Sequence, residues 1–226
     1  NRLIVGSQGT LGIITEIKLR LVKVKPKSGM VVIFMKDMDI LADVVNRVLP
    51  FSPVNFESFD DYTFKLALRF LPSFVKLMGA KNFFSLVFNF IPELWLILTY
   101  GMPKLTLLVE FDEDEAKIIT EKINQLDKAL KGMPLKTKII QDEKEMQKYW
   151  AIRRESFNLL RHKIKDKQTA PFVDDIIVRP EFLPEFLPQL YKILNKYELL
   201  YTIAGHMGDG NFHIIPLMRL ADLSER

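Results

Sequence analysis

The sequence predicts an α+β fold, an antiparallel sheet with helices on one of its faces. Two stretches of the chain carry this prediction, because each alternates strand, helix and strand, from Val31 to Phe59 and from Leu105 to Ile140. In the strands the apolar residues are contiguous or alternate, whereas in the helices they recur every three or four residues. Two such units in succession are typical of a ferredoxin-like domain.

The composition excludes several classes of protein. Of the 226 residues, 48% are hydrophobic and 27% are charged, which is normal for a globular protein and excludes intrinsic disorder. The chain has no cysteine, so it has no disulfide scaffold, no thiolate metal site and no cysteine nucleophile. A net charge of +4, from 32 basic and 28 acidic residues, does not favour nucleic acid as a partner.

The helix of the first unit is predicted from the spacing of its apolar residues. Val31–Met35 and Val54–Phe59 are apolar, strand-like runs. Between them, Asp37 or Asp39 caps a helix that ends at Pro50. The predicted buried stripe of this helix consists of Leu41, Val44, Val45 and Val48.

The second unit repeats this order with a longer helix. Leu105–Phe111 and Thr137–Ile140 are its strands, and its helix begins at Asp112, with Glu115 at the spacing of a capping box, and ends at Gly132. The inner face of that helix consists of Ala116, Ile119, Ile123, Leu126 and Leu130. The remaining chain is predicted to form a long helix, a strand, a helix and two strands, at 141–166, 172–178, 180–197, 200–205 and 212–217.

The beginning of the chain has a different character. Residues 1–22 alternate strand-like segments around a glycine turn at Gly6–Gly12, and a basic stretch with a proline follows at 23–29. We therefore predict that residues 1–25 are the last strands of one domain and residues 26–226 are a second domain. Because the chain opens on Asn1 instead of Met, we expect it to be a piece of a longer protein.

An apolar insertion interrupts the second domain at 62–101. Its run Phe83–Leu98 is shorter than the roughly 20 residues that span a bilayer, and Asn89, Pro92 and Glu93 interrupt it. Two interpretations remain open: a pair of buried helices, or a surface helical hairpin that dips into a membrane interface or holds a partner. The second agrees with the basic residues nearby, Lys65, Arg69, Lys76 and Lys81.

The strongest functional signal is the window 201–215, which holds two of the three histidines. Asp209-Gly210 between strand-forming residues is typical of a two-residue type I′ turn, and this register places His206 opposite His213. Opposed side chains are about 4.5–5.5 Å apart at Cβ, near enough for both imidazoles to bind one metal ion. The alternative is a packed polar patch, and a metal ion would need a third ligand, for which the candidates are Glu57, Asp174 and Asp175.

Arg153 lies within the apolar stripe of the long helix, between Trp150 and Phe157. An unpaired guanidinium in that position would be costly. Arg153 therefore either pairs with an internal carboxylate or lines a pocket and binds an anionic ligand, and its parallel donors suit a carboxylate. The spacing leaves both alternatives open.

Three segments together resemble the FAD-linked oxidases of the vanillyl-alcohol-oxidase type, in the branch of D-lactate dehydrogenases, glycolate oxidase subunits and D-2-hydroxyglutarate dehydrogenases. Gly6–Thr15 is similar to the segment that closes their FAD-binding domain, Trp150–Arg153 to their tryptophan–arginine helix, and Gly205–His213 to the metal motif of their cap domain. The resemblance implies that residues 1–25 end the FAD-binding domain and that residues 26–226 form the cap, or substrate, domain.

The resemblance also implies a chemistry. FAD would accept a hydride from C2 of a small D-2-hydroxy acid, and a divalent zinc, manganese or iron ion would hold the substrate oxygens. His206 and His213 would be the metal ligands and, together with Arg153 on the substrate carboxylate, the catalytic residues. Backbone and side-chain contacts to FAD would come from Gly6, Ser7, Gly9, Thr10, Gly12, Ile13, Ile14 and Asn211.

For the parent protein, the resemblance predicts a cytoplasmic enzyme, peripheral on the inner face of the membrane if residues 62–101 dock there. The family's glycine-rich FAD domain and its later Gly-Glu-His-Gly motif do not occur in these 226 residues, so we expect the chain alone to be inactive. Two other classes compete with the enzyme: a non-catalytic module in which Arg153 binds an effector, and a membrane-docking module built on the insertion.

Overall fold

A computed structural model of the chain describes residues 2–69, 83–163, 167–170, 173–197 and 200–224. The strands are β1 Lys27–Met35, β2 Asn55–Asp60, β3 Leu105–Glu113, β4 Leu135–Ile140, β5 Gln168–Thr169, β6 Val173–Ile177, β7 Leu200–His206 and β8 Asn211–Met218. The helices are α1 Leu41–Val48, α2 Asp61–Arg69, α3 Phe83–Tyr100, α4 Ala116–Leu130, α5 Glu143–Lys163 and α6 Leu183–Lys196. Short 3₁₀ turns occupy Leu49–Phe51, Pro180–Phe182 and Met207–Asp209.

All strands belong to one sheet, in the order β4-β1-β3-β2-β7-β8-β5, with β6 also paired to β8. Each of the pairings is antiparallel. The four strands of the two predicted units occupy the β4-β1-β3-β2 half, so the two strand–helix–strand units interleave as in a ferredoxin-like domain. The predicted α+β class with an antiparallel sheet is confirmed.

Helices cover both faces of this sheet, which corrects the predicted one-sided arrangement. One core cluster joins the sheet to α1, α4 and α6, and a second joins its opposite face to α2, α3 and α5. The run Met30–Met35 of β1 is buried at every position and sends alternate residues to the two clusters. A contiguous apolar strand is typical of a sheet that is covered on both sides.

The sequence predicted the buried faces of the helices more accurately than the residues at which the helices begin. Every residue of the predicted α1 stripe is buried. In contrast, β3 continues through Asp112 to Glu113, and α4 begins at Ala116, with Glu115 as its N-cap and no side-chain capping bond. The predicted helix start at Asp112 is therefore wrong, because strand pairing with β1 extends through these residues.

Residues 2–26 contain no strand, contrary to the prediction for the beginning of the chain. Their apolar side chains are exposed, among them Ile13 at 93% and Leu21 at 90%. A strand needs a neighbour for its backbone N–H and C=O groups, and these residues pair with no strand among those described. The domain boundary near residue 25 stays a prediction, consistent with β1 beginning at Lys27.

The insertion contributes α2 and α3, while its residues 70–82 lie outside the described residues. On α3, Leu96, Ile97 and Tyr100 pack against the sheet, and Glu93 is buried. The outer face of the helix is apolar and exposed, and consists of Ile91, Leu94, Trp95 and Leu98. Within the described part of the chain, no helix combines the length and apolarity needed to cross a membrane.

Candidate functional site

The turn between β7 and β8 differs from the predicted one. Residues Met207–Asp209 form a 3₁₀ turn, and Gly210 follows in the left-handed region at φ +65°. His206 consequently pairs with Asn211, and His213 pairs with Ala204. The predicted pairing of His206 with His213 is wrong, because Asp209-Gly210 is only the second half of a longer turn.

The two imidazoles are nevertheless neighbours. A register change of two residues keeps a side chain on the same face of a sheet, because successive side chains alternate. The ring centroids of His206 and His213 are 5.7 Å apart, and the ring planes meet at 84°. The two histidines thus face each other diagonally across the strand pair instead of directly.

Two glycines allow the hairpin to pack closely. A Cβ on Gly205 would collide with the backbone of Asn211 and Phe212, and a Cβ on Gly210 would collide with the carbonyl oxygen of Val178. No side chain fits at either position, so the close approach of the backbones requires glycine. The glycines of this window are therefore explained by the folding of the hairpin itself.

Glu57 of β2 connects the hairpin to α5. β2 is the neighbour of β7, and Glu57 pairs with His206 in register. Its Oε1 is 2.6 Å from His206 Nδ1, and its Oε2 is 2.7 Å from Nη2 of Arg153. The Glu57 side chain is 9% exposed and that of His206 is 47% exposed, so a buried carboxylate holds a ring that reaches the surface.

Arg153 pairs with an internal carboxylate, which confirms the first of its two alternatives, and its binding of an anionic ligand stays a prediction. It forms an ion pair with Glu57, although the angles at Oε2 are not those of a hydrogen bond, and its side chain remains 21% exposed. Its Nε and the Oδ1 of Asn211 are buried without a hydrogen-bond partner among the described residues. Buried polar atoms rarely stay unpaired, so these two atoms are candidate contacts for a ligand.

Asp175 is the second carboxylate near the histidines. It lies where the pairing of β6 with β8 shifts, and its φ is +55°, a region that aspartate tolerates better than most residues. Its Oδ1 is 3.7 Å from His213 Nδ1, and Asn211 Nδ2 donates to it at 3.4 Å. The side chain of Asp174, the other candidate donor on this strand, lies outside the described residues.

Asp60, three residues beyond Glu57, binds the backbone of both α2 and β7. Its Oδ1 accepts from the backbone N–H of Thr63 at the start of α2, and its Oδ2 accepts from the N–H of Ile203 on β7. Burial raises the pKa of Asp60 from 3.8 to about 7, although these N–H groups oppose the shift. The sequence signal that was missed is an acidic residue at the start of a helix, which is a common N-cap.

A cavity of about 310 Å³ opens beside His206 and Glu57, between residues 49–56 and Gly208–Asp209. The histidine is therefore accessible and is not sealed among aliphatic side chains. Since Glu57 holds Nδ1 of His206, the ring presents Nε2, as metal-binding histidines do when a carboxylate fixes their other nitrogen. Within the described residues no three His, Asp or Glu side chains are arranged to hold a metal ion, so metal binding by His206 and His213 stays a prediction.

Of the residues predicted to contact FAD, only Asn211 belongs to this cluster. The others lie in the exposed segment before β1. Gly6 and Gly9 have φ of +85° and +75°, and a Cβ on Gly6, Gly9 or Gly12 would meet nothing within 4 Å. These glycines leave room for a ligand to approach the backbone, and the structure gives them no internal contact that would explain them.

A family model described as FAD linked oxidases, C-terminal domain, matches residues 27–226. The chain belongs to this family. The predicted family is thereby confirmed, although the segment Gly6–Thr15 lies before the matched range, and FAD is the cofactor of the family as a whole. The matched range begins at the first residue of β1 and includes the entire sheet.

Curated relatives cover the same branch. The D-2-hydroxyglutarate dehydrogenase of Pseudomonas putida is 24% identical over 228 residues, which are 98% of this chain and 21% of that protein. The mitochondrial D-lactate dehydrogenase [cytochrome] of Arabidopsis thaliana is 28% identical, over 94% of this chain and 33% of that protein. Glycolate oxidase subunit GlcD of Bacillus subtilis is 26% identical, over 94% of this chain and 40% of that protein. The chain therefore spans between about a fifth and two fifths of these relatives.

Solved structures share the fold at low identity. An alkyldihydroxyacetonephosphate synthase superposes with a TM-score of 0.63 at 13% identity, over 97% of this chain and 42% of that one. A 4-ethylphenol oxidase from Gulosibacter chungangensis superposes with a TM-score of 0.60 at 12% identity, over 90% of this chain and 42% of that one. At this identity the likeness shows a shared fold alone, which agrees with the predicted α+β architecture.

Proposed function

We propose that this chain is the substrate domain of an FAD-dependent oxidoreductase that oxidises a small D-2-hydroxy acid to the 2-oxo acid. The observation that carries the proposal is the group formed by Arg153, Glu57, His206 and His213, which joins a cation to two imidazoles. A 2-hydroxy acid presents a carboxylate and a hydroxyl group on adjacent carbons, and this group offers a complementary partner to each.

Arg153 binds the substrate carboxylate. Its Nη2 is held by Glu57 while its buried Nε still lacks a partner among the described residues. Nε–H therefore donates to a carboxylate oxygen, and the ion pair with Glu57 limits the rotation of the guanidinium.

His206 acts on the hydroxyl group. Nδ1–H donates to Glu57 Oε1, which leaves the lone pair on Nε2 to accept the hydroxyl proton or to bind a metal ion. Oxidation removes a hydride from C2 and a proton from the hydroxyl oxygen, so a proton acceptor at this place balances the reaction. FAD, when bound, supplies the hydride acceptor. A divalent zinc, manganese or iron ion would be held by Nε2 of His206 together with His213.

Bleaching of the flavin absorbance of the full-length protein by D-lactate, glycolate and D-2-hydroxyglutarate tests this proposal. We expect Arg153→Ala to raise KM for the oxidised acid by about 10- to 100-fold, as expected for loss of a charge-assisted hydrogen bond. Arg179→Ala is the matched control, since Arg179 is 72% exposed, and it should leave KM unchanged. No bleaching by any 2-hydroxy acid, or a normal KM in Arg153→Ala, would reject the proposal.

A second function, compatible with the first, is favoured by the outer face of α3. The exposed stripe Ile91, Leu94, Trp95 and Leu98 has the spacing of an interfacial helix. Residues 62–92 contain Lys65, Arg69, Lys76 and Lys81 and no acidic residue. We propose that this face docks on an anionic lipid surface, with the enzyme in the cytoplasm and peripheral on the inner face of the membrane.

Co-sedimentation of the full-length protein with vesicles tests this docking. We expect binding to vesicles containing phosphatidylglycerol, little binding to pure phosphatidylcholine, and loss of binding in Trp95→Glu. Ile177→Glu is the control, because Ile177 is 71% exposed on β6. Equal binding by wild type and Trp95→Glu, or concentration-dependent dimerisation lost in Trp95→Glu without lipid binding, would contradict it.

A further inference from the structure

A buried ionic cluster ties the insertion to the helix that carries Arg153. Glu93 of α3 is 1% exposed, and its Oε1 accepts from Tyr149 OH at 2.6 Å, Lys148 Nζ at 2.7 Å and Lys138 Nζ at 3.0 Å. These four residues, the Glu93 cluster, join α3, α5 and β4. Lys138 also pairs with Glu145 at 2.7 Å, so the charges of the region balance.

Stability alone does not explain such a cluster. Burying two opposite charges costs about as much free energy as their attraction returns, and apolar replacements are often equally stable. Although burial opposes ionisation, Lys148 and Lys138 together with the Tyr149 hydroxyl hold the pKa of Glu93 below its ordinary value. Glu93 is therefore charged, and it receives three directional bonds where apolar contacts would suffice for packing.

The Glu93 cluster adds directional hydrogen bonds to the contacts of α5. The contacts of α5 with the sheet are otherwise largely apolar, through Met146, Tyr149 and Ile152, and apolar contact is non-directional. Tyr149 precedes Arg153 by four residues, about one helical turn or 6 Å along the axis. A rotation of α5 by one residue position, roughly 100°, would remove Arg153 from Glu57. The bonds at Lys148 and Tyr149 oppose that rotation in addition to the apolar packing of α5.

We propose that Glu93 is a positioning residue, which fixes the rotation of α5 and thereby keeps Arg153 on Glu57 at the candidate site. The inference rests on the proposed role of Arg153 in binding the substrate carboxylate. It also gives the apolar insertion a function, since α3 presents Glu93 to the neighbouring helix while its opposite face remains exposed.

Steady-state kinetics of the full-length enzyme with its 2-hydroxy acid tests the proposal. We expect Glu93→Gln to raise KM about tenfold with little change in kcat, because a displaced Arg153 weakens carboxylate binding. The double variant Glu93→Leu/Lys148→Met should recover the thermal stability but not the KM, since it restores apolar packing without the directional bonds. A double variant with native KM would show that the cluster serves packing only, and would overturn the proposal.

Glu113→Gln is the matched control, because Glu113 also binds two lysines, Lys25 and Lys122, at 2.6 Å each, but lies at the end of β3. Its KM should equal that of the wild type. Hydrogen exchange provides a readout that does not depend on activity: Glu93→Gln should accelerate exchange in residues 143–163, and Glu113→Gln should not. Unchanged exchange in Glu93→Gln would overturn the positioning role, whereas absence of hydroxy-acid oxidation in the wild type would reject the proposed function separately.

Discussion

The chain has two glycine-rich windows, and the structure treats them in opposite ways. In the window Gly205–Gly210, a Cβ on either terminal glycine would collide with the backbone of a neighbouring segment. In the window Gly6–Gly12, a Cβ on any of the three glycines would meet nothing within 4 Å. Packing within the described chain therefore requires glycine in the second window and does not require it in the first.

This difference separates two reasons for glycine. In the hairpin, glycine permits the close strand packing that brings His206 and His213 together. Replacing it should therefore lower the free energy of unfolding. In the first window, Gly6 and Gly9 adopt positive φ but no glycine packs against a neighbour, which agrees with the proposal that this backbone lies along FAD. Substitutions in the two windows should therefore change different measurable quantities.

The largest effect is expected from Gly205→Ala. Its Cβ would overlap the backbone of Asn211 and Phe212, which cannot move without breaking the strand pairing, so we expect a loss of about 3 kcal/mol or more in the free energy of unfolding. Urea titration of the chain measures it. Gly208→Ala is the control, because its Cβ would lie 3.2 Å from the Phe56 side chain, which can shift. Equal stability of the two variants would contradict the packing explanation.

The next effect concerns Asp60, which holds the hairpin strand β7 through Ile203. Its pKa is about 7 in the folded chain and 3.8 in the reference state. At a pH between these two values, the folded chain therefore keeps a proton on Asp60 that the unfolded chain releases. Stability should therefore fall as pH rises, by about 2–3 kcal/mol from pH 5 to pH 8 for this group alone. Asp60→Asn should be less stable at pH 5, because it loses one acceptor, but should lack this decrease. An identical pH slope in wild type and variant would refute it.

A smaller effect is expected from Glu57→Gln in the full-length enzyme. The amide oxygen of Gln still accepts from Nδ1–H of His206, but it lacks the negative charge of the carboxylate. Weakening of such an orienting partner typically lowers activity or metal affinity by about 10- to 100-fold. Measurements of kcat/KM and of metal content check this. Glu181→Gln, a control at a 52% exposed side chain, should be silent. Full activity in Glu57→Gln would show that the carboxylate does not orient His206.

The smallest effect on stability is expected from Gly12→Ala. Its Cβ meets no neighbour, and its φ lies outside the left-handed region, so the unfolding free energy of the chain should change by less than about 0.5 kcal/mol. FAD affinity of the full-length protein should nevertheless fall, which titration with FAD after removal of the bound flavin measures. Unchanged affinity would remove Gly12 from the predicted FAD contacts.

The hairpin shows how far local sequence patterns reach. Spacing alone predicted that His206 and His213 share one face, and this held although the predicted turn was wrong, because an error of two residues preserves side-chain parity. The length of the turn was not predictable from Asp209-Gly210, since the same dipeptide suits both turn lengths. The burial of α1 on Leu41, Val44, Val45 and Val48 was predicted because helical periodicity is a local property.

For the part of the chain after residue 26, the sequence by itself determined the main strand and helix order, the buried stripes and the family motifs, because each of these depends on neighbours within a few residues. The tertiary structure alone decided that Glu57 holds both His206 and Arg153, and that Glu93 ties α3 to α5. His206 and Glu57 are 149 positions apart in the chain. No periodicity connects residues at such separations, and only the order of strands in the sheet and the rotation of α5 bring their charges within hydrogen-bond distance.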